Sequence, residues 1–424
     1  MENFKKLLDE AKKCVRCGIC NSVCPTYNVL RKESVGPRGR VALIRERATT
    51  GDGAGFGKEF AIDLKACTLC GSCLGSCPRD VDVPKLILGA RTAVVESEGL
   101  SVGAGLVFKN FLAPGKLAGL ALKTASRLKR LLLKSSVGEN GLLRRFSLPI
   151  IGKGRLVPNL ADIFFLDRPE VKKLARVEAK EGRPRIGFFA GCGINYLMPE
   201  VGVATIKAVT DLGADLIIPS KQVCCGMPAL SAGDRKTAKE LAIKNLNAFE
   251  DEDLDYITTS CATCSNALKS VFLELLGDDP EHQERVQRFT SKVRDVTELL
   301  ANELSYKDKG DKKEGLVTWH DPCHLSRYQG VREEPRELIL KSGYAFKGMK
   351  NPCKCCGLGG GLVFSDYELS IEVTKKKAQN ILSTKASIVA TACPGCIVQL
   401  RDALHRYTPK DELIPKVVHV LELL

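Results

Sequence analysis

Apolar and polar positions alternate differently in the two halves of the chain. From residue 183 onward, short apolar runs such as IGFFA (186–190) and SIVATA (387–392) are strand-like, and stretches between them, such as VGVATIKAVTDLG (201–213), have helical spacing. This alternation predicts βα units around a parallel sheet. Before residue 95 the pattern instead predicts helices, including an amphipathic helix over 4–13 and another at VALIRER. We therefore expect an α/β C-terminal half behind an α-helical N-terminal region.

Ten cysteines follow the apolar runs in two copies with nearly the same spacing. The first copy is Cys192, Cys224-Cys225-Gly226 and Cys261-x-x-Cys264; the second is Cys323, Cys355-Cys356-Gly357 and Cys393-x-x-Cys396. In both copies 31 residues lie between the lone cysteine and the pair, and 35 and 36 residues lie between the pair and the CxxC. Buried structural cysteines have no reason to keep such a register, so we interpret both sets as iron–sulfur ligands.

The location of these cysteines after strands predicts where they meet. Ligand groups in parallel sheets gather at the carboxyl ends of the strands, so the five cysteines of one copy are expected at one sheet edge. Each CxxC then opens a helix, whose N-terminus favours thiolate. The copies also align at YITTSCATCSNAL with SIVATACPGCIVQL, and at VRDVTELL (293–300) with VVHVLELL (417–424). We expect two domains, 183–305 and 314–424, related by pseudo-twofold symmetry.

Eight further cysteines form two matched runs in an N-terminal domain over residues 1–95. The runs are Cys14-x-x-Cys17-x-x-Cys20-x-x-x-Cys24-Pro25 and Cys67-x-x-Cys70-x-x-Cys73-x-x-x-Cys77-Pro78. This is the spacing of bacterial ferredoxins, in which the fourth cysteine ligates the other cluster. The expected ligand sets of two [4Fe–4S] clusters are therefore Cys14, Cys17, Cys20 and Cys77, and Cys67, Cys70, Cys73 and Cys24. A zinc site is the alternative, and two matched runs that both end in proline disfavour it.

The spacer between the two runs leaves one question open. Its 42 residues predict a helical ferredoxin-like domain and not a minimal ferredoxin. Within it, Arg38 and Arg40 are equally compatible with stabilising anionic cluster charge and with an exposed position in solvent.

Composition narrows the cellular setting. The chain has 424 residues and 19 cysteines, yet it lacks the apolar leader expected of a secreted disulfide scaffold. No apolar stretch is long enough to predict a transmembrane helix. We expect a cytoplasmic protein with reduced, metal-ligating cysteines. Peripheral attachment to the inner face of the plasma membrane is an open alternative.

The net charge of +14 is concentrated in a connector over residues 96–182. Residues 101–158 hold eleven Lys or Arg and one acid, Glu139. Within 116–134, one stripe of a predicted helix carries Lys116, Lys123, Arg127, Arg130 and Lys134. This stripe is either a solvated surface or a contact for an anionic membrane leaflet or an acidic partner. We exclude nucleic acid as a partner, because the segment shows no aromatic stacking pattern and no nucleic-acid motif.

Glycine-rich stretches supply no organic cofactor site. The run Gly357–Gly361 follows a cysteine pair and not a strand that opens a dinucleotide-binding unit, so we interpret it as backbone kept close to a cluster. No flavin or nicotinamide fingerprint is found, and such a cofactor is expected on a partner.

Two C-x31-CCG-x35/36-CxxC motifs behind a two-cluster ferredoxin domain resemble the D-type subunit of heterodisulfide reductase. They also resemble the iron–sulfur subunits of glycolate oxidase, lactate-utilisation and anaerobic glycerol-3-phosphate dehydrogenase complexes. The resemblance implies one or two further [4Fe–4S] clusters, noncubane in the heterodisulfide reductase branch, where a substrate disulfide is split. It also implies an oxidoreductase subunit that acts in a complex with a flavoprotein dehydrogenase or a membrane cytochrome b.

Both copies keep all five cysteines, whereas the hydroxy-acid branch often lacks a complete CxxC. The sequence therefore favours a subunit in which electrons pass from the ferredoxin clusters to catalytic clusters that reduce a disulfide. Two alternatives stay open: an electron relay for a flavin-dependent glycolate, lactate or glycerol-3-phosphate dehydrogenase, and a redox-sensing or scaffold module with structural clusters.

Three residues beside the second copy admit two interpretations each. His324 is a candidate proton donor to a thiolate product, and both it and His320 are alternatively hydrogen-bonded to backbone or cluster sulfur. Cys353, two residues before the second pair, is interpreted as a spare thiol, with an alternative ligand as the second interpretation.

Overall fold

The computed structural model describes residues 2–50, 56–101, 155–175, 180–250, 253–308 and 310–424, together with residues 103, 105, 112, 124, 133–135 and 142–144. The chain forms two compact units, each built from three segments. The first, here called the helical unit, comprises Met1–Phe108, Met227–Ala238 and Lys354–Lys377. The second, here called the sheet unit, comprises Lys109–Gly226, Lys239–Cys353 and Ala378–Leu424.

Helices make up most of the regular structure. The α-helices are α1 Glu2–Lys12, α2 Ile19–Val23, α3 Pro25–Leu30, α4 Pro37–Thr50, α5 Lys58–Lys65, α6 Val83–Glu98, α7 Pro169–Lys172, α8 Gly191–Tyr196, α9 Pro199–Thr210, α10 Met227–Ala232, α11 Arg235–Phe249, α12 Ala262–Asn266, α13 Phe272–Leu276, α14 Gln283–Ser291, α15 Val296–Glu298, α16 Cys323–Ser326, α17 Glu333–Lys341, α18 Leu362–Ser365, α19 Tyr367–Leu382 and α20 Pro394–Tyr407. Short 3-10 turns cover Glu33–Val35, Leu74–Ser76, Phe165–Asp167, Lys173–Ala175, Gly359–Gly361 and Val420–Glu422, and π-helical turns cover Ala267–Val271 and Leu299–Glu303.

Helix α6 is the centre of the N-terminal region. Its N-cap is Asp82, whose carboxylate accepts a hydrogen bond from the backbone N–H of Lys85 at 3.0 Å, and Pro84 lies in its first turn. Leu86 and Ile87 of α6 are completely buried in a core shared with α1 and α4. Packing of short helices around one long helix therefore presents the cysteine loops, as the helical pattern predicts.

Two four-stranded parallel sheets form the C-terminal half. The strands are β3 Arg185–Phe188, β4 Asp215–Ile217, β5 Tyr256–Thr259, β6 Val293–Asp295, β7 Lys313–Trp319, β8 Tyr344–Phe346, β9 Ile388–Thr391 and β10 Lys416–His419, after an antiparallel hairpin of β1 Leu133–Ser135 and β2 Leu142–Arg144. One sheet has the order β4-β3-β5-β6, and the other has the order β8-β7-β9-β10. The strands β4, β3, β5 and β6 correspond in position to β8, β7, β9 and β10, so the two sheets have the same topology. The predicted repeat is thereby confirmed.

Apolar side chains of both copies meet in one core of the sheet unit. Phe188 of β3 is completely buried and meets Phe165 edge-to-face at 5.8 Å between ring centroids. Leu299 of the first copy and Leu421 of the second lie in the same apolar cluster. Each follows a capping box, in which Asp295 and His419 cap the turns that begin after β6 and β10.

The basic connector is mostly outside the described residues. The helix predicted over 116–134 lies outside them except at Thr124 and at residues 133–134, which fall in β1. Within the part of the chain that is described, no helix combines the length and the apolar character needed to cross a membrane.

Candidate iron–sulfur sites

The first expected ligand set of the N-terminal region is brought together in one pocket of the helical unit. Cys14, Cys17, Cys20 and Cys77 all line it. The loop turns through left-handed backbone at Arg16 (φ 59°) and Gly18 (φ 81°) before α2 begins. Cys17 is exposed, so one edge of this site faces solvent. Burial raises the pKa of Cys20 to about 11, and the neighbouring thiolates of Cys14, Cys17 and Cys77 act in the same direction.

The second ligand set is more deeply buried. Cys24, Cys70 and Cys73 are buried, and Cys67 is half-buried. Burial raises the pKa of Cys73 well above its usual value, and the charges of Cys67, Cys70 and Cys24 act in the same direction. Four thiols that repel one another when ionised fit a site for a cationic iron–sulfur core, because metal coordination removes the proton.

The arginines of the spacer have different environments. Arg40 is 1% exposed, and its Nε donates to the carbonyl oxygen of Asp63 at 2.8 Å. Its charge lowers the pKa of Cys24, against the larger effect of burial, which raises it. Arg38 instead forms a two-pronged ion pair with Glu33 at 2.7 and 3.0 Å and lines the pocket of the first set. Arg40 is therefore buried beside a cluster site, and Arg38 lies at the edge of the other.

The cysteine pair of the second copy also belongs to the helical unit. The Cys355 thiol is hydrogen-bonded to Cys70 and to its neighbour Cys356, and its pKa is raised to about 11, chiefly by Cys356. The following glycines lie against the loop of the second ligand set: a Cβ on Gly359 would be 2.4 Å from the carbonyl oxygen of Thr68. This contact explains why a glycine run follows the pair.

The five cysteines of the first copy all lie in the sheet unit, at the carboxyl edge of its first sheet. Cys192 and Cys224 are 3.6 Å apart between sulfurs. Cys264 is hydrogen-bonded to Cys225 and to Cys261, and these contacts, with burial, raise the pKa of Cys264 well above its usual value. Extended backbone at Cys261 makes it the N-cap of α12, so the CxxC opens a helix as expected.

Two buried amides hold the loop that carries the first pair. Gln222 accepts from the N–H of Ala190 at 2.7 Å and donates to the carbonyl oxygen of Phe188 at 3.1 Å. Asn245 of α11 accepts from the N–H of Val223 at 2.9 Å and donates to the carbonyl oxygen of Cys224 at 3.0 Å. Sequence reasoning missed both amides, because neither belongs to a recognisable motif.

The two CxxC segments lie side by side within the sheet unit. The N–H of Ala262 donates to the carbonyl oxygen of Ala392 at 2.9 Å, and Thr263 Oγ1 is 3.5 Å from Cys393 Sγ. Cys261 and Cys393 are hydrogen-bonded, which raises the pKa of the Cys261 thiol and lowers that of Cys393. Cys323 and Cys396 also lie in this unit, whereas Cys355 and Cys356 lie in the helical unit.

Histidines surround these segments. His324 is half-buried, its ring contacts that of Tyr328 at 5.1 Å between centroids, and burial lowers its pKa against the opposing charges of Cys393 and Cys225. Its Nδ1 has no hydrogen-bond partner among the described residues. His320 is buried, and its backbone N–H donates to Ala390.

Sequence reasoning also missed His419. This side chain is completely buried, and burial lowers its pKa to about 4. The alignment of VVHVLELL with VRDVTELL, which pairs His419 with Asp295, was the available signal.

Cys353 lies beside an acidic side chain in the sheet unit. Its Sγ donates to Oδ2 of Asp321 at 3.3 Å, and this oxygen also accepts from Arg336 at 2.8 Å. The other carboxylate oxygen, Oδ1, accepts from the indole N–H of Trp319. These contacts give the Cys353 thiol a structural partner.

These sites define a class of protein: an iron–sulfur protein with a dicluster ferredoxin-type region and two cysteine-rich domains. Residues 10–81 match the 4Fe-4S dicluster domain, and residues 186–269 and 317–401 match the cysteine-rich domain known as CCG. No disulfide joins any of the 19 cysteines, all of which are among the described residues.

The chain belongs to the family of iron–sulfur subunits built from these domains. It is 30% identical to the probable glycolate oxidase iron-sulfur subunit of Bacillus subtilis, across 99% of this chain and 95% of that protein. It is 30% identical to a subunit of the CoM/CoB fumarate reductase of Methanothermobacter marburgensis, across 100% of this chain and 73% of the relative. It is 26% identical to a subunit of the dihydromethanophenazine:CoB–CoM heterodisulfide reductase of Methanosarcina acetivorans, across 98% of this chain and 95% of the relative.

A solved structure of a hypothetical protein from Helicobacter pylori has a similar fold, with a TM-score of 0.51 and 9% identity, covering 100% of this chain and 71% of that one.

The family assignment supports an electron-transfer role for the chain as a subunit of an oxidoreductase complex. The resemblance to heterodisulfide reductase and glycolate oxidase subunits is thereby confirmed.

Proposed function

We propose that this chain receives electrons from a redox partner and reduces a disulfide at the CCG cysteines. The observation that carries the proposal is the completeness of both cysteine sets, together with the contact between the two CxxC segments at Cys261 and Cys393. Two complete sets of five thiols exceed what a relay through the two ferredoxin-type clusters alone requires.

The reaction balances as two electrons and two protons added to one disulfide. The sulfur–sulfur bond breaks, both sulfurs are reduced, and two thiols form. The electrons come from the partner, a flavoprotein dehydrogenase or a cytochrome b, which is oxidised. A bound [4Fe–4S] cluster supplies one-electron redox chemistry to this site.

The protein's own residues have distinct tasks in this proposal. The ten cysteines of the two copies hold the redox centres, and the cysteines of the N-terminal runs hold two further ones. Gln222 and Asn245 fix the loop of the first pair through backbone hydrogen bonds. His324 lies close to Cys225 and Cys393, and its Nδ1 has no hydrogen-bond partner within the described part of the chain. It takes up a proton from solvent and passes it to a thiolate product.

The test is anaerobic purification with any copurifying partners, followed by iron counting and an assay of disulfide reduction with reduced viologen as electron donor. We expect more than about eight irons per chain, the content of two [4Fe–4S] clusters, and thiol release that depends on the disulfide. Cys323→Ser should abolish this release. Cys353→Ser is the matched control, since serine keeps the hydrogen bond to Asp321, and it should retain the activity.

A second candidate function is an electron relay for a flavin-dependent 2-hydroxy-acid dehydrogenase. It is favoured by the similarity to the probable glycolate oxidase iron-sulfur subunit over nearly the whole of both chains. Under this proposal, the loaded protein releases no thiol from any disulfide, yet it accepts electrons from a flavoprotein in the presence of a 2-hydroxy acid. Stopped-flow bleaching of the iron–sulfur absorbance distinguishes the two.

A further inference from the structure

Arg91 of α6 binds backbone of all three segments that make up the helical unit. It is 4% exposed. Its Nη2 donates to the carbonyl oxygens of Leu64 at 2.7 Å and Cys67 at 2.8 Å, and its Nη1 donates to those of Ser231 at 2.5 Å and Gly360 at 2.9 Å. One guanidinium thus joins the second ferredoxin-type loop, the helix α10 and the glycine run after Cys356.

One guanidinium that donates to four backbone carbonyl oxygens is a specific binding arrangement and not a chance contact. Burial lowers the pKa of Arg91 to about 10, against the opposing charge of Cys67, and its Nε has no hydrogen-bond partner among the described residues. Burying a cation without a carboxylate is costly unless its donors are satisfied, so four bonds to carbonyl oxygens are what makes this placement tolerable. The hydrogen bonds to carbonyl oxygens of the two loops and of α10 therefore account for the buried position of the Arg91 guanidinium.

The loops that Arg91 joins carry cysteines of two different sites. Cys70 of the second ferredoxin-type set and Cys355 of the second CCG pair are hydrogen-bonded. The backbones of the two loops are also close, because a Cβ on Gly360 would be 2.0 Å from the carbonyl oxygen of Cys67. Arg91 donates to both of these segments, at Cys67 and at Gly360 itself.

We propose that Arg91 is a positioning residue that holds the Cys355–Cys356 pair against the Cys67–Cys70 loop, so that the second CCG copy is the first to exchange electrons with the ferredoxin-type region. One electron leaves the site of Cys24, Cys67, Cys70 and Cys73, which is oxidised, and enters the site at Cys355 and Cys356, which is reduced. No proton is needed for this step. The inference rests on the electron-transfer role and not on the identity of the final acceptor.

The experiment measures magnetic interaction between the two sites in the full-length, cluster-loaded protein. Low-temperature EPR during a stepwise reductive titration should show broadening or splitting when both sites are paramagnetic. Arg91→Gln should lose this interaction, and Gly360→Ala should lose it by forcing the loops apart with no change in charge. Both variants are compared at equal iron content.

Two further variants separate positioning from electrostatics. Arg40→Gln removes a buried cation beside Cys24 whose Nε bonds to Asp63 and not to the glycine run, so it should shift the reduction potential and keep the magnetic interaction. Arg91→Lys keeps the charge but lacks the planar fork that reaches both loops, and it should lose the interaction as Arg91→Gln does.

Several results would overturn the proposal. They are an unchanged interaction in Arg91→Gln, full retention in Arg91→Lys, or a wild-type protein in which both sites are reduced without interaction. If Arg91→Gln fails to bind iron, Gly360→Ala tests the proposal instead: loss of the magnetic interaction in that variant supports it, and an unchanged interaction refutes it. A missing disulfide reductase activity alongside intact magnetic interaction would refute the proposed function and leave this inference standing.

Discussion

The two CCG copies share one strand order, but a cysteine of each pair has a different partner. Cys225 is hydrogen-bonded to Cys264 of its own copy, whereas Cys355 is hydrogen-bonded to Cys70 of the ferredoxin-type region. The same motif with the same spacing thus serves two environments. The spacing and the strand order are the same in both copies, and the packing around each loop determines what the pair contacts.

The copies also differ at two equivalent positions near their strands. Ala190 of the first copy corresponds to Asp321 of the second, and the helix cap Asp295 corresponds to His419. Burial raises the pKa of Asp295 to about 6 and lowers that of His419 to about 4. Both side chains are thereby shifted toward their neutral forms, and each still accepts a backbone N–H as a cap. The fold therefore requires an acceptor at this position and disfavours a charge.

The largest effect is expected from removing one cysteine pair at a time. Replacing Cys355 and Cys356 by serine should lower the rate of disulfide reduction by more than about 100-fold. Mutating only the groups that hydrogen-bond to metal ligands already costs about 10–100-fold, and here the ligands themselves are lost. It should also abolish the magnetic interaction with the ferredoxin-type site. Replacing Cys224 and Cys225 should lower activity as much but leave that interaction, as seen by EPR. The opposite pattern would mean that the copies have exchanged roles.

The next effect concerns Asp321, which the first copy lacks. Asp321→Ala removes the carboxylate that pairs with Arg336 and accepts from the buried indole N–H of Trp319. Breaking a buried ion pair in this way costs about 3–5 kcal/mol of the free energy of unfolding. Anaerobic urea midpoints measure it, with exposed Asp411→Ala as the control. A loss below about 1 kcal/mol, the range of surface pairs, would show that the second copy tolerates the alanine of the first.

A smaller, pH-dependent effect is expected at Asp295. Because its pKa is about 6 in the fold and near 3.8 when unfolded, the folded state holds the proton more tightly. Its contribution to stability is therefore full below pH 3.8 and is lost as pH rises through 6, by about 3 kcal/mol. Asp295→Asn keeps an acceptor for Thr297 but cannot titrate.

Urea midpoints of Asp295→Asn and the wild type, taken from about pH 4 to about pH 7, isolate this group because the contributions of all other groups cancel. The variant should gain relative stability as pH rises. A difference that stays constant with pH would mean that Asp295 is ionised throughout.

The smallest effect on stability is expected at Glu303, whose carboxylate contacts Tyr256 and Arg294 of the first copy. Its carboxylate accepts from the Tyr256 hydroxyl at 2.8 Å and pairs with Arg294 at 3.2 Å, in a partly exposed position. Glu303→Gln should cost less than about 1 kcal/mol, as such pairs usually do. A thermal midpoint well below that of the wild type would contradict this and show that the pair anchors β5.

The repeat and its sheets could be predicted because apolar runs, cysteines and helical stretches recur in the same order in both copies. Parallel strands then bring the cysteines that follow them to one sheet edge. The ferredoxin-type ligand sets were expected from cysteine spacing, and the pocket of Cys14, Cys17, Cys20 and Cys77 has the expected composition. Arg91 was not foreseeable, since a lone arginine in an amphipathic helix has no pattern that reveals four distant carbonyl oxygens. The grouping of residues 354–377 with the N-terminal region was equally hidden, because loop packing leaves no periodic signal.

That grouping has a consequence for how the protein is made. Val35 and Ala66 share a small core with Leu362, Leu369 and Val373, which leave the ribosome some three hundred residues later. The N-terminal cysteines therefore emerge long before the chain that finishes their surroundings. We expect cluster insertion to be a late, post-translational event that needs the whole chain, and a fragment ending near residue 95 to lose its iron readily.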